Sequence, residues 1–409
     1  MHRVEIDYPM KPEDFISDKA GICRRTTGDY WAFYPAPLPP KIEVDWPLAG
    51  LLSEADRALA ELSGAGQLLP NPHLLIRPYL RREAIFSSRI ENTIAEMEEL
   101  ALFEVQPDEE PRRPDVREVA NYVRALESGL QRLNDLPISS RLICELHSLL
   151  LGGVRGGESS KTPGEYRRSQ NWIGPPGATL PEATFVPPPP DEMQKALGDW
   201  ENYLHTDTKE PVLVKCAFLH YQFEAIHPFL DGNGRIGRLL ITLFLCSLGC
   251  LSQPLLYLSG FFDETRDDYY RLLLAVSQKG HWTEWLEYFL RGVRIQAKAA
   301  LADTQAVLRL YEGHRDKLKH MGRVPQTAAL ILDELFGNPM LSISRFCEQT
   351  GESFHNVRKG VEFWQKQGLL REITGYKRNR IFVAGELLQL MTGPRPAGGE
   401  RTSKQGTNA

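Results

Sequence analysis

The pair His227-Pro228, followed within a few residues by Gly232-Asn233-Gly234, leaves the chain few options around it. Proline cannot continue a helix and pushes the residue before it away from helical angles, so a helix arriving from upstream ends at His227. Glycine and asparagine enter left-handed conformations readily, so Gly232, Asn233 and Gly234 predict a turn whose backbone N–H groups converge on one anion. A second helix begins near Gly234 with its positive dipole end facing that turn, and Arg235 and Arg238, three apart, share a face of its first turns. Asp231 adds one hard oxygen ligand suited to a magnesium ion carried in by a polyphosphate. Taken singly, each residue has an ordinary role: a histidine at a helix end is commonly structural, and Gly-Asn-Gly is a common turn. Together, a base, a carboxylate, an amide nest and two guanidinium groups suffice to activate a hydroxyl and hold a nucleoside triphosphate.

This run, His227-Pro-Phe-Leu-Asp-Gly-Asn-Gly-Arg-Ile-Gly-Arg238, resembles the core motif of the Fic family, which transfers AMP from ATP to protein hydroxyls, and every position of that motif is filled. The resemblance implies that His227 is the general base toward a target Ser, Thr or Tyr and that Asp231 holds Mg2+ against the α- and β-phosphates. It implies further that Asn233 binds the α-phosphate, that Gly232 and Gly234 offer backbone donors, and that Arg235 and Arg238 meet the β- and γ-phosphates. Some Fic relatives instead move UMP, phosphocholine or phosphate, or remove AMP; this form of the motif is the one associated with AMP transfer.

A second stretch, residues 83–104, repeats apolar residues at helical spacing and predicts one long helix carrying Ser87-Ser-Arg-Ile-Glu91-Asn92, with Ser87 and Glu91 on one face. On the helix alone, Glu91 reads as a surface carboxylate paired with Arg89 or another charge. Ser-x-x-x-Glu-Asn also resembles the Fic inhibitory helix motif, placed ahead of the core motif as in the class that carries its inhibitor in the same chain. That resemblance implies a bidentate pair between Glu91 and Arg238, anchored by Ser87, which keeps Arg238 from the γ-phosphate.

The chain of 409 residues has a net charge of −5 and 42% hydrophobic residues, which suits two or three domains with a packed core and argues against a protein that coats nucleic acid over its whole surface. Six scattered cysteines form no Cys-x-x-Cys pair and no zinc spacing, and Cys216, Cys246 and Cys250 read as small core residues in a reducing compartment. No secretory signal is visible and the most apolar run, residues 239–258, is broken by polar residues and Pro254, so a cytoplasmic protein without a membrane span is expected.

Elsewhere the pattern predicts a Pro- and aromatic-rich extended arm to about residue 47, a short helix at 53–62 stopped by Gly64 and Gly66, and helices at 116–133 and up to Leu151. Two short extended pieces follow, around Asn171-Trp-Ile-Gly and residues 178–187, which together suggest a hairpin. Thr184, Phe185 and Val186 resemble the Fic flap that holds a target segment by strand addition. Helices at 191–203 and 211–227 lead to the core motif, where His220 reads as a packed core residue. Helices at 264–277 and 282–318 close the body.

Residues 324–383 look like a winged helix-turn-helix, with His355, Asn356, Arg358 and Lys359 exposed on its second helix and Gly375, Lys377, Arg378 and Asn379 at the wing tip. Winged helices bind DNA or mediate protein contacts, and both partners stay open, as does association with further copies of the chain. The expected fold is mainly α: a Fic helical core with a small β-hairpin flap, plus the C-terminal winged helix. The divisions are an N-terminal region with the inhibitory helix (1–110), a catalytic domain (111–318), the winged helix (319–391) and a disordered tail (392–409). ATP, a hydroxyl-bearing protein target and Mg2+ are the expected ligands. A nucleotide-sensing transcription regulator is the alternative from another class.

Overall fold

A computed structural model describes residues 10–69, 72, 76–375 and 379–392. The expected disordered tail and the wing-tip residues Lys377 and Arg378 lie outside these described residues. The fold is mainly helical. The Pro- and aromatic-rich arm, read as extended, closes on itself as an antiparallel hairpin of β1 (Gly21–Arg25) and β2 (Trp31–Pro35), with Phe33 fully buried against the body. The first helix, α1 (Trp46–Gln67), is longer than predicted because Asp45 caps it by accepting from Leu48 N at 2.9 Å, with proline in the first turn. Gly64 and Gly66 do not stop it. Gly66 is buried where a Cβ would meet Ser252 Oγ at 2.8 Å, so it permits close passage of another segment.

The predicted helix over 83–104 is two helices, α2 (Arg77–Ile90) and α3 (Met97–Val105). Asn92 has φ +61°, a left-handed angle that ends α2 just after Glu91, and Glu96 with Glu99 opens α3 through a capping box. Glu91 therefore stands at a helix end with its side chain free of the helix surface. Next come α4 (Asp115–Arg132) and α5 (Ser140–Leu151), then α6 (Pro190–His205), α7 (Val212–Ile226) and α8 (Asn233–Ser247). Nearly every residue of α7 is buried, the pattern of a helix enclosed on all sides, and α8 packs against it and against α4. The short α9 (Ser259–Glu264), α10 (Arg266–Lys279) and α11 (Trp282–His320) complete the body. At about 1.5 Å per residue, α11 reaches well beyond that body; its first part lies along α1.

The C-terminal unit runs α12 (Ala328–Gly337), β3 (Met340–Ser342), α13 (Ile343–Thr350), α14 (Phe354–Lys366), β4 (Arg371–Glu372), β5 (Ile381–Val383) and α15 (Gly385–Thr392), with an antiparallel sheet in the order β3-β5-β4. It is docked on α2 and α3. Met340, Ile381 and Val383 share a small apolar cluster with Ala101. Arg82, buried, donates to the carbonyls of Met391 and Leu390, both at 2.6 Å, while the neighbouring Arg81 donates to Gly337 O and pairs with Glu104. Among the described residues no helix is long and apolar enough to cross a membrane, and all six cysteines are free; Cys216 is buried, whereas Cys246 and Cys250 are only half-buried.

Candidate active site

The turn joining α7 to α8 is shaped by the residues that end one helix and begin the next. His227 adopts the left-handed conformation, φ +49°, which is uncommon for a residue with a side chain and is held by contacts from outside the turn. Arg167, fully buried in the loop before α6, donates from Nε to His227 O at 2.9 Å and from Nη2 to Pro188 O at 2.6 Å. Asn171 donates to His227 O at 3.1 Å and to Phe229 O at 2.7 Å. His147 of α5 stacks on Phe229 with ring centres 3.7 Å apart and lies 3.0 Å from Asp231 O. Its Nδ1 accepts from Gly164 N at 2.8 Å, so Nε2 carries the proton that reaches the Asp231 carbonyl. These three residues were not foreseen in the sequence.

Of the three residues expected to take left-handed angles, only Gly232 does, at φ +78°; Asn233 and Gly234 already belong to the first turn of α8. The Asn233 side chain, expected at a phosphate, is buried and accepts from Phe229 N and donates to Phe229 O, each at 2.8 Å. These bonds staple the turn and use one of the two Nδ2 hydrogens, so Asn233 keeps a side-chain donor as well as its backbone N–H for an anion.

His227 Nδ1 lies 3.2 Å from Glu224 O. A carbonyl can only accept, so the proton sits on Nδ1 and the lone pair on Nε2 is free to take one. Burial, helped by the nearby Arg167 charge, lowers the His227 pKa to about 4, so the imidazole is neutral at pH 7. One helical turn earlier, burial pushes the Glu224 carboxyl up to about 7, and its Oε1 has no hydrogen-bond partner among the described residues. His220 is the core residue expected: it lies 2.9 Å from Tyr269 Oη, and burial drops its pKa to about 3.

The two arginines of α8 are both buried and both engaged. Arg238, 1% exposed, donates from Nε to Ser87 Oγ and from Nη2 to Ser87 O, each at 2.9 Å, and from Nη2 to Glu91 Oε1 at 2.8 Å. The bond to Glu91 is single rather than the bidentate fork expected: Nη2 alone donates to the carboxylate, and it is shared with Ser87 O. Burial works against the Glu91 charge, but the Arg238 guanidinium outweighs it and holds the carboxyl below its ordinary range. Glu91 lies over the start of α8 so closely that a Cβ on Gly234 would fall 2.3 Å from Glu91 Oε1. A carboxylate thus occupies the positive end of α8, where an anion is favoured. Asn92 accepts from Arg266 Nη1 at 2.9 Å, which ties the turn after Glu91 to α10.

Arg235 donates from Nη1 to Glu118 Oε2 at 3.2 Å and from Nη2 to Asp231 Oδ1 at 3.3 Å. Asp231 Oδ1 also accepts from Gly232 N at 2.6 Å, yet its side chain remains 39% exposed and lines the cleft. Among the described residues no cluster of three or more His, Cys, Asp or Glu can cage a metal. One accessible carboxylate beside an anion seat does fit Mg2+ arriving with nucleotide phosphates, since that ion keeps most of its ligands from water and phosphate.

The cleft these groups share is about 740 Å³, large enough for a nucleotide, and extends between α7 and α10 past Tyr221 and Tyr269. Over its mouth, the expected hairpin is a single antiparallel bridge, with Ile173 N donating to Phe185 O at 2.8 Å and Phe185 N to Ile173 O at 3.1 Å. Thr184 and Phe185 line the cleft, but Val186 is buried and its carbonyl accepts from Phe33 N of β2 at 2.8 Å. The segment expected to dock a target is thus engaged by Ile173 on one side and, through the Val186 carbonyl, by Phe33 on the other.

Residues 49–131 match the Fic/DOC family N-terminal domain and residues 137–245 the Fic/DOC family domain. The protein adenylyltransferase Fic of Drosophila persimilis is 36% identical over 137 residues, 32% of this chain and 24% of that protein. A probable protein adenylyltransferase of Aquifex aeolicus is 29% identical over 178 residues, 42% of this chain and 49% of that one. The chain thus spans about a quarter of the length of the first and about half of the second. A crystal structure of a Fic family protein from Desulfovibrio desulfuricans shares the fold, with a TM-score of 0.53 and 22% identity over 85% of this chain and 98% of that one.

Proposed function

We propose, from the premise that this chain carries a Fic N-terminal domain and a Fic domain, that it is a protein adenylyltransferase restrained by its own Glu91. In this mechanism a target hydroxyl attacks the α-phosphorus of ATP, an O–P bond forms, the bond to the β-phosphate oxygen breaks, and pyrophosphate leaves. His227 Nε2 takes the hydroxyl proton; its neutral state and its Nδ1 bond to Glu224 O suit that task. The backbone N–H groups at the start of α8 hold phosphate oxygens, and Arg235 and Arg238 bind the β- and γ-phosphates. Asp231 would hold Mg2+, which supplies charge neutralisation on the phosphates.

The observation that carries this is the Glu91 carboxylate seated at Arg238 and the first turn of α8, where a phosphate would otherwise sit. With Arg238 engaged, the triphosphate cannot settle with its α-phosphorus in line with the incoming hydroxyl, and small misplacement costs orders of magnitude in rate. Strand addition at the flap formed by Ile173 and the Thr184–Val186 segment would hold the target mainly by its backbone. The test is incubation of the Glu91→Gly protein with Mg2+ and ATP labelled at the α-phosphate. Self-labelling that far exceeds wild type, and is abolished by His227→Ala, supports the proposal; equal labelling of wild type and Glu91→Gly overturns the restraint. Labels on UMP, phosphocholine or the γ-phosphate, and release of AMP from a modified protein, separate the other Fic chemistries.

A second reading is favoured by the C-terminal unit. Its order of helix, strand, two helices and a strand pair is that of a winged helix, with His355, Arg358 and Lys359 exposed on α14. A regulator that senses nucleotide through the Fic body and acts on DNA through α14 would bind DNA and show no label. The six free cysteines suit action in the cytoplasm.

A further inference from the structure

The loop after α5 reads Gly152-Gly-Val-Arg-Gly-Gly157 and brings one more guanidinium to the cleft, outside the core motif. Its path depends on glycine: Gly153 and Gly156 have φ +68° and +80°, and a Cβ on Gly157 would strike Leu151 O at 1.8 Å. Gly156 lies directly on Asp231, where a Cβ would come within 2.4 Å of Oδ2. The backbone of Arg155 is thereby fixed beside the carboxylate assigned to the metal.

The Arg155 side chain is 64% exposed, unlike the buried Arg235 and Arg238. It rests between Glu118 Oε1, 3.3 Å from Nε, and Thr93 Oγ1, which accepts from Nη2 at 3.0 Å. Both anchors belong to the phosphate end of the site. The other oxygen of Glu118 holds Arg235, and Thr93 follows Glu91 by two residues in the turn where its N–H donates to Ser88 O at 3.0 Å. Arg155 can leave without stranding a buried charge, because Glu118 keeps Arg235 and the Thr93 hydroxyl, 3.1 Å away.

Charge balance gives it somewhere to go. When Glu91 is exchanged for a triphosphate the cleft gains negative charge, even with one divalent ion, and Arg155 is the exposed cation at its rim, the other arginine there, Arg266, being half-buried and engaged with Asn92. We propose that Arg155 is a third phosphate-binding arginine, which exchanges Thr93 and Glu118 for the terminal phosphate of the nucleotide. The assignment to the terminal phosphate follows from Thr93, its anchor in the turn that carries Glu91, the acid seated on Arg238, to which the γ-phosphate is assigned. It rests on the adenylyltransferase reading only in taking the cleft as a triphosphate site.

The test is equilibrium binding of fluorescent ATP and ADP analogues, with Mg2+, to full-length Glu91→Gly protein and to the same protein carrying Arg155→Ala or Arg155→Lys. The expected result is at least a tenfold loss of ATP affinity with Arg155→Ala, less than twofold for ADP, and partial recovery of ATP affinity with Arg155→Lys. ATP binding indifferent to Arg155, or equal losses for ATP and ADP, overturns this proposal alone. Failure of the Glu91→Gly parent to bind either nucleotide overturns the nucleotide reading and this proposal with it. Because Arg155 is exposed on a loop, unchanged circular dichroism is expected of both variants.

Discussion

Arg238 Nη2 donates at once to Glu91 Oε1, at 2.8 Å, and to the carbonyl of Ser87, at 2.9 Å, so one guanidinium grips both the acid and the helix that presents it. Removing the acid leaves a buried cation that has lost one acceptor, a cost of about 1–2 kcal/mol, because Ser87 remains. Glu91→Gly is therefore expected to melt a few degrees below wild type without nucleotide and to gain more from ATP. Saturation at 100 times Kd adds about 2.7 kcal/mol. A thermal-shift titration that finds identical ATP responses in the two proteins counts against Glu91 as the occupant of the phosphate seat.

Gly234 offers a cleaner steric probe. It lies within α8, where alanine is ordinarily favoured over glycine by about 1 kcal/mol, but here the added Cβ meets Glu91 Oε1 at 2.3 Å and Arg238 Nη1 at 2.8 Å. Gly234→Ala should lower stability, and in the Glu91→Gly background it should cut labelling at least tenfold by filling the approach to the amide nest. Gly50 of α1, with nothing within 4 Å of its Cβ position, is the control: Gly50→Ala should raise the melting temperature and leave labelling alone.

Arg167 ties the turn between α7 and α8 from behind. Its guanidinium serves carbonyls of His227, Pro188 and Ile226, at 2.9, 2.6 and 3.4 Å. Lysine cannot span them with one point charge. Both Arg167→Lys and Arg167→Met should therefore reduce kcat in the Glu91→Gly background by at least a hundredfold. A change in KM for ATP with kcat preserved would show that the left-handed angle of His227 does not depend on Arg167.

The pH dependence has a definite sign. His147, His220 and His227 have folded values near 4, 3 and 4, against about 6.5 unfolded. Between those limits the unfolded chain binds more protons, so stability from these histidines is full above pH 6.5 and is lost as pH falls toward 4. Glu224, raised to about 7 by burial, opposes this with a single proton. Urea midpoints should drop between pH 6.5 and 4.5, and His147→Gln should make that drop shallower. Transfer itself should lose nothing to His227 protonation between pH 8 and 6. A kinetic pKa near 6.5 assigned to His227 would contradict its burial.

The core motif and the helices that flank it were legible because proline, glycine and apolar periodicity act locally. Residues 83–104 misled because periodicity continues through Asn92, whose positive φ leaves no mark on the spacing. The β1–β2 hairpin was hidden by prolines and by aromatics without alternation. Arg167, His147, Glu118 and Arg155 were missed for a different reason: each works on a group 60 to 117 positions away, such as His227 O, Asp231 O, Arg235 or Thr93, and long-range partners carry no local signature. Asn233 was given to a phosphate on resemblance, and what the spacing did not reveal is that its side chain also closes the turn that makes the nest.

Arg81 and Arg82 bear on how this chain can be trimmed. Their guanidinium groups are sealed inside the protein, and the acceptors at Gly337, Leu390 and Met391 all come from the far end of the polypeptide. A shortened protein ending near residue 320 would strip those acceptors from two cations at the base of the very helix whose other end presents Glu91. Under the proposed restraint by Glu91, such a fragment should lose that restraint by fraying from below, so that high labelling by a shortened chain would report broken moorings and not the set point of the whole; comparing amide exchange across residues 77–93 in the whole and shortened chains would reveal it.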